Sequence, residues 1–271
     1  MKKTKLLSLL YLLCLLMLFA SGSLSGIVSQ AVYILSFILP TVIGLYLVRR
    51  EEKGEKELPV SLDSRALGLL IPVVAPTVFI IIFISLFTSF LIGLIFGAQS
   101  SVELGDSLPL AILSHAILPA ILEEALYRYL PMRLWGRERD GSLVIISALF
   151  FALVHRDFFV IPYAFIAGAL FMTINLLTDS IWPSVILHAV NNTLSVVWIF
   201  YSQSAEFVIG FYIVLAVLSL ISLIFIFKKR SEYINGIKKI FGGKKITLGG
   251  EILYFALPTL ALAALDLAAK I

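Results

Sequence analysis

Runs of about 20 apolar residues follow one another from one end of this chain to the other, and they constrain its fold more than any other feature. A helix of that length spans the hydrocarbon core of a bilayer. Apolar residues make up 60% of the chain and charged residues 14%, whereas a soluble domain has about a quarter of its residues charged. Barrel strands would be shorter and would alternate in polarity. The pattern predicts an all-α, polytopic bundle of transmembrane helices around a central polar cavity.

The apolar runs predict up to nine spans in one membrane domain covering residues 1–271. They lie near residues 6–21, 26–48, 67–97, 108–132, 142–155, 158–177, 181–201, 207–227 and 251–269. The last run contains Glu251 and Asp266, so it either crosses the bilayer or lies at its interface. The bundle therefore has eight or nine spans, and its first partner is the lipid bilayer.

Loops rich in lysine and arginine alternate along the chain with loops poor in them, and this alternation predicts the orientation of the chain in the cell membrane. The rich segments contain Lys2, Lys3 and Lys5; Arg49, Arg50, Lys53, Lys56 and Arg65; Arg133, Arg137 and Arg139; and Lys228, Lys229, Arg230, Lys238, Lys239, Lys244 and Lys245. Because such loops stay in the cytoplasm, the N-terminus is predicted to be cytoplasmic, with Arg156 as the one exception to the pattern. The stretch 228–245 directly follows a span, so we interpret it as an inner-leaflet lipid contact and expect no nucleic-acid partner.

Two features of the N-terminal segment leave its processing open. Basic residues up to Lys5, followed by the apolar run Leu6 to Phe19, are typical both of a signal peptide and of a retained first helix. The small residues Ala20 to Gly22 would permit cleavage, so residues 1–22 fit either alternative. The single cysteine, Cys14, excludes an internal disulfide and a site built from several cysteines.

Three charged residues, Glu123, Glu124 and Arg128, lie inside the fourth span, where charge is costly and usually functional. Glu124 and Arg128 are four residues apart, so they share a helix face and can form a supporting ion pair. Glu123 is turned about a quarter of a turn from both and shares its face with Tyr127. Glu123 is therefore predicted to face a wet cavity and to find its partner on another helix.

Candidate partners for Glu123 occur on the fifth and seventh spans. His155 follows Phe151 by four residues, and His188 precedes Asn192 by four. From the helical rise, all of these polar groups lie roughly 11 to 21 Å from the cytoplasmic helix ends, so one buried site can collect them. The third histidine, His115, is interpreted as a packing or cavity residue.

The ordered motifs EExxxR (Glu123 to Arg128), FxxxH (Phe151 to His155) and HxxxN (His188 to Asn192) resemble those of the CAAX protease and bacteriocin-processing enzyme family, also called the ABI family. The small residues from Ala164 to Gly168 resemble a weaker motif of that family, and the resemblance covers about residues 108–200, the expected catalytic core. It implies intramembrane proteolysis. Glu123 and His155 would activate a water, His188 and Asn192 would stabilise the oxyanion, and Glu124 and Arg128 would orient the helix.

A zinc site is the competing chemistry, because Glu123, His155 and His188 could supply three ligands. No HExxH motif is present, and the resemblance favours a mechanism without a cofactor. The main functional hypothesis is an endopeptidase that trims peptides, including prenylated CAAX tails, from the cytoplasmic side. The alternatives are a transporter or proton relay, and a non-catalytic immunity or scaffold protein of the same fold.

Overall fold

The computed structural model describes residues 3–51, 62–97, 104–136, 139–242 and 246–268, and they form helices without a strand. The helices are α1 Lys3–Gly22, α2 Gly26–Glu51, α3 Ser64–Phe96, α4 Leu108–Trp135, α5 Gly141–Leu153, α6 Ile161–Thr178, α7 Trp182–Tyr201, α8 Ala205–Lys228, α9 Arg230–Phe241 and α10 Leu253–Ala268. Residues 1–2, 52–61, 98–103, 137–138, 243–245 and 269–271 lie outside the described part. They include Lys2 and several other basic positions used above to predict the orientation, and the last residue of the ninth predicted run.

The protein is an integral membrane protein with an all-α bundle, as the apolar runs predict. Among the described residues, 8 helices are long and apolar enough to cross a membrane. The ninth predicted run is α5, a shorter apolar helix of 13 residues. The C-terminal segment Gly250–Ala268 has the length and composition of a span. Helix α9 was not predicted as a helix; it buries only Tyr233 and Ile240.

Contacts between chain segments gather the basic residues at one end of the bundle, which we call the basic face. The ammonium group of Lys3 lies over the ring of Trp135 at the end of α4. Arg139, before α5, forms an ion pair with Asp179, which follows α6. The hydroxyl of Tyr233 in α9 donates a hydrogen bond of 2.7 Å to a carbonyl near the start of α3. The opposite face carries the connections α1–α2, α3–α4 and α7–α8.

Helix α4 contains two wide π-helical turns, Leu113–Ile117 and Ala125–Tyr129. Each is followed within two residues by a proline, Pro119 or Pro131. A proline has no N–H group and its ring clashes with the carbonyl four residues earlier, so a wider turn relieves the crowding. For Pro131 that carbonyl belongs to Tyr127, and it accepts a hydrogen bond of 2.6 Å from the Ser147 hydroxyl of α5.

The second π turn also ties α4 to α1. The amide of Leu130 donates to the carbonyl of Ala125 instead of that of Leu126. The Leu126 carbonyl then accepts a hydrogen bond of 3.3 Å from the hydroxyl of Tyr11. The ring of Tyr11 packs between aromatic rings of α5 and α10. Helix α1 is therefore part of the core that holds α4 in place.

Helices α5 and α6 approach closely at a small residue, as the run of small side chains predicts. A Cβ atom added at Gly168 would lie 3.0 Å from the Cα of Ala148 and 3.2 Å from a ring carbon of Phe151. Contact at this distance leaves no room for a larger side chain. Because Phe151 lies at this contact and His155 follows one turn later, the packing of α6 fixes the FxxxH segment.

Candidate active site

A cavity of about 1320 Å³ enters the bundle from the opposite face and ends at the charged segment of α4. Glu123, His155, His188 and Asn192 all line it. The helices α4, α5 and α7 therefore bring the four predicted site residues to one wall, although they are as many as 69 positions apart in sequence. The cavity exceeds the roughly 1,000 Å³ upper range of small-molecule pockets, so it has room for a peptide segment.

The floor of the site is a buried ion pair beneath Glu123. The Arg128 guanidinium lies 3.2 Å from Glu124 Oε1, and both side chains are 0% exposed. Arg128 also lies over the Phe151 ring, 3.9 Å from its centroid, where the ring face attracts the positive charge. No described residue accepts a hydrogen bond from Nε or Nη2 of Arg128. The arginine therefore depends on one carboxylate and on two aromatic faces, those of Phe151 and, at 5.7 Å, Phe171.

His188 lies between the two glutamates of α4. Its Nδ1 donates to Glu124 Oε1 at 2.9 Å, and its Nε2 lies 3.8 Å from Glu123 Oε2. Glu124 thus fixes the imidazole of α7 as well as pairing with Arg128, a role that helix-face reasoning within α4 did not reveal. The rings of Phe151 and Phe171 pack on His188 at centroid distances of 5.6 and 5.5 Å, which limits its rotation.

His155 is anchored by its own helix. Its Nδ1 lies 2.8 Å from the carbonyl oxygen of Phe151. A carbonyl oxygen only accepts, so Nδ1 carries the proton and the lone pair of the neutral ring is on Nε2. Among the described residues no hydrogen bond or ion pair joins His155 to Glu123, and both side chains line the cavity. That arrangement leaves room for a water molecule between an acceptor nitrogen and a carboxylate.

Asn192 has its carbonyl oxygen engaged and its amide N–H groups available. The neighbouring Asn191 donates from Nδ2 to Asn192 Oδ1 at 3.2 Å. Within the described chain no acceptor is paired with Nδ2 of Asn192. An amide held in this way can donate hydrogen bonds to an oxygen that develops negative charge in the cavity.

Of the other residues predicted to belong to the site, some line the cavity and one does not. Phe151 and His115 line the cavity. Tyr127 does not share the environment of Glu123: it is fully buried among α1 residues, with its hydroxyl 3.8 Å from the Cys14 sulfur. It is one of the residues in the π turn, so the spacing of a regular helix did not apply. Sequence reasoning missed Asn191 and Tyr163, which also line the cavity; Asn191 precedes the motif asparagine and could have been noticed there.

The zinc alternative was tested against the donor set. Among the described residues, no group of three His, Cys, Asp or Glu side chains is arranged to hold a metal ion. His188 is engaged at Nδ1 by Glu124, and His155 at Nδ1 by a carbonyl. These bonds leave Nε2 of both rings open, so they do not exclude zinc, and the zinc alternative stays a hypothesis that metal analysis tests.

The mouth of the cavity lies at the opposite face of the bundle. It is lined by residues at the opposite-face ends of the helices, including Ser21, Ser29 and Ser202. Toward the basic face the interior is filled by a second apolar cluster that contains Leu69, Leu70 and Leu187. Apolar packing between α3, α6 and α7 thus lies between the cavity and the basic face.

Fold and site together define a polytopic membrane protein with a carboxylate, two imidazoles and a carboxamide around an intramembrane cavity. The family model "Type II CAAX prenyl endopeptidase Rce1-like" matches residues 105–194. This match confirms, over that segment, the resemblance predicted from the motifs. It supports a function of the CAAX-type intramembrane protease kind. Comparisons with curated proteins and with solved structures gave no significant match.

Proposed function

We propose that this protein is an endopeptidase that hydrolyses peptide bonds inside the membrane with a water activated by Glu123 and His155. The observation that carries the proposal is that Glu123, His155, His188 and Asn192 all line one cavity, within the segment matched by the family. The substrates are peptides or protein tails associated with the membrane, prenylated or not.

In the proposed reaction, water is held between Glu123 and His155 and loses a proton to Glu123 as its oxygen adds to the scissile carbonyl carbon. The carbonyl oxygen becomes an oxyanion, which receives hydrogen bonds from Nε2 of His188, in a ring that carries a proton on both nitrogens, and from Nδ2 of Asn192. When the tetrahedral intermediate collapses, the C–N bond breaks and the proton passes from Glu123 to the leaving amine. The products are one new carboxyl terminus and one new amino terminus.

Surrounding residues keep these groups in position. Glu124 holds His188 through Nδ1, so the Nε2 edge remains for the oxyanion. Arg128 holds Glu124, and the Phe151 carbonyl holds His155. Catalytic groups that are fixed before the substrate arrives need no reorganisation in the transition state. A membrane cavity with few waters also strengthens each hydrogen bond to the developing charge.

The first test is cleavage of a panel of prenylated and unprenylated peptides by purified protein in detergent or nanodiscs. We expect Glu123→Gln to lose at least about 100-fold of the wild-type rate, the scale of losing a general base, while eluting as the same folded species in size-exclusion chromatography. Metal analysis of the active preparation belongs to the same experiment, and we expect no stoichiometric zinc. A folded wild-type protein that cleaves no peptide, or a fully active Glu123→Gln variant, would overturn the proposal.

A further inference from the structure

We propose that the cavity takes its peptide from the external side of the membrane, so that the substrates are exported or membrane-inserted chains rather than cytoplasmic tails. That the peptide is a substrate rests on the proposed function, but the direction from which it enters does not depend on catalysis. It combines the position of the cavity mouth with the position of the basic residues.

The mouth lies among the helix ends of the opposite face. Ser21 is in the last turn of α1 and Ser29 in the first turn of α2, where the Ser29 hydroxyl donates to the Ser21 carbonyl at 2.8 Å. The wall continues through Ser89 in α3 and Ser195 in α7 down to Glu123. Small hydroxyl side chains therefore lead from the surface to the charged floor, which is suited to admitting water and a peptide backbone.

The other end of the bundle is sealed off from the cavity, although it carries a separate hollow of about 660 Å³ that Arg65, Leu69 and Tyr233 help to line. An apolar cluster whose members are at most 8% exposed includes Leu69, Leu70 and Leu187 and extends from Phe171, at the cavity wall, to Tyr233 of α9. The Tyr233 hydroxyl bonds to the Leu69 carbonyl, which fastens α9 across this end. A chain approaching from the basic face would have to displace the cluster before reaching Glu123.

Charge placement identifies which compartment each end faces. Lys3, Arg65, Arg139 and Arg230 belong to the basic face, whereas the described connection Gly22–Gly26 on the opposite face has no lysine or arginine. Arg156, in the connection between α5 and α6, is the one exception to this division. Positively charged loops remain in the cytoplasm, so the sealed end is cytoplasmic and the mouth is external. A peptide reaching the site must then be presented by a translocated or membrane-inserted chain.

Cysteine accessibility tests this orientation without any protease assay. In a Cys14→Ala background, single cysteines are introduced at Ser89 and Ser195 in the cavity, at Ser25 in the α1–α2 connection, and at Ser231 in α9. A serine side chain differs from a cysteine side chain by one atom, oxygen in place of sulfur, so the four variants are expected to fold normally. Intact cells are treated with a membrane-impermeant maleimide, and a matched sample is treated after permeabilisation.

We expect Ser25→Cys, Ser89→Cys and Ser195→Cys to react in intact cells, and Ser231→Cys to react only after permeabilisation. Reaction of Ser231→Cys in intact cells would reverse the orientation and overturn the inference. Failure of the cavity cysteines to react from outside, while Ser25→Cys does react, would also overturn it. If the labelling agrees but no peptide is cleaved, the access inference stands and the proposed function fails.

Discussion

At the scale of single residues, two adjacent glutamates of α4 occupy different environments. Glu124 is completely buried between Arg128 and His188, whereas Glu123 has a side chain 13% exposed to the cavity. A buried charge pair contributes little net stability, but removing one partner leaves the other uncompensated in a low dielectric. The same chemical group is therefore expected to be structural at position 124 and catalytic at position 123.

Glu124→Gln is predicted to destabilise the folded protein by about 3–5 kcal/mol, the typical cost of stranding a buried charge. Thermal or denaturant unfolding in detergent measures the change. The matched control is Glu123→Gln, which should leave the unfolding midpoint close to that of the wild type. Adding Arg128→Met to Glu124→Gln should recover part of the loss because no charge is then stranded. Equal stability of the wild type and Glu124→Gln would contradict this division of roles.

Asn192→Ala should lower kcat by roughly 100- to 1,000-fold with a smaller effect on KM, since an oxyanion donor acts mainly in the transition state. Steady-state kinetics on the best peptide of the panel provide the measurement. The neighbouring substitution Asn191→Ala is the comparison, because Asn191 is placed to hold Asn192 rather than to contact the oxyanion. An Asn192→Ala enzyme with unchanged kcat would remove this residue from the oxyanion site.

At the scale of helices, the site depends on how α4 and α6 meet their neighbours. The π turns of α4 free carbonyls that Tyr11 and Ser147 then bind, so α1 and α5 are fastened to the helix that carries both glutamates. Gly168 lets α6 pack directly on α5 beside Phe151. These contacts, rather than loops, hold the FxxxH segment against the EExxxR segment, and rigid elements hold a site more accurately than loops do.

Gly168→Leu is predicted to lower stability by about 1–3 kcal/mol, because overpacking forces α5 and α6 apart. It should also reduce cleavage, since Phe151 and the turn leading to His155 would move. Gly210→Leu in α8 is the matched control, as nothing lies within 4 Å of a Cβ added there. Unfolding midpoints and peptide cleavage are compared for the two variants; equal effects would show that the α5–α6 contact is not special.

A feature of these helices could be predicted from the sequence where it depends only on residues close together in the chain. Apolar runs and the spacing of polar residues are local, so the spans, the Glu124–Arg128 pair and the shared depth of the site residues were predictable. The environment of Tyr127 was not, because it lies in a π turn, where regular helical spacing does not hold. The bond from Glu124 to His188 joins residues 64 positions apart, and single-helix geometry carries no information about such a pair.

At the scale of the whole molecule, the two ends of the bundle differ in structure and in charge. One end is apolar inside and basic at its surface; the other opens into the cavity. The composition and loop charges predicted the membrane class and the orientation, but not which end would be open, because that depends on how α3, α6 and α7 pack. The proposed external access follows from combining the two.

The most direct test of the central claim is peptide cleavage by purified protein in water enriched in ¹⁸O, analysed by mass spectrometry. The account predicts that the wild type incorporates one solvent oxygen into the new carboxyl terminus of the product. Glu123→Gln, although folded, should form no labelled product. Cleavage that proceeds unchanged in Glu123→Gln would contradict the assignment of Glu123 as the group that activates water.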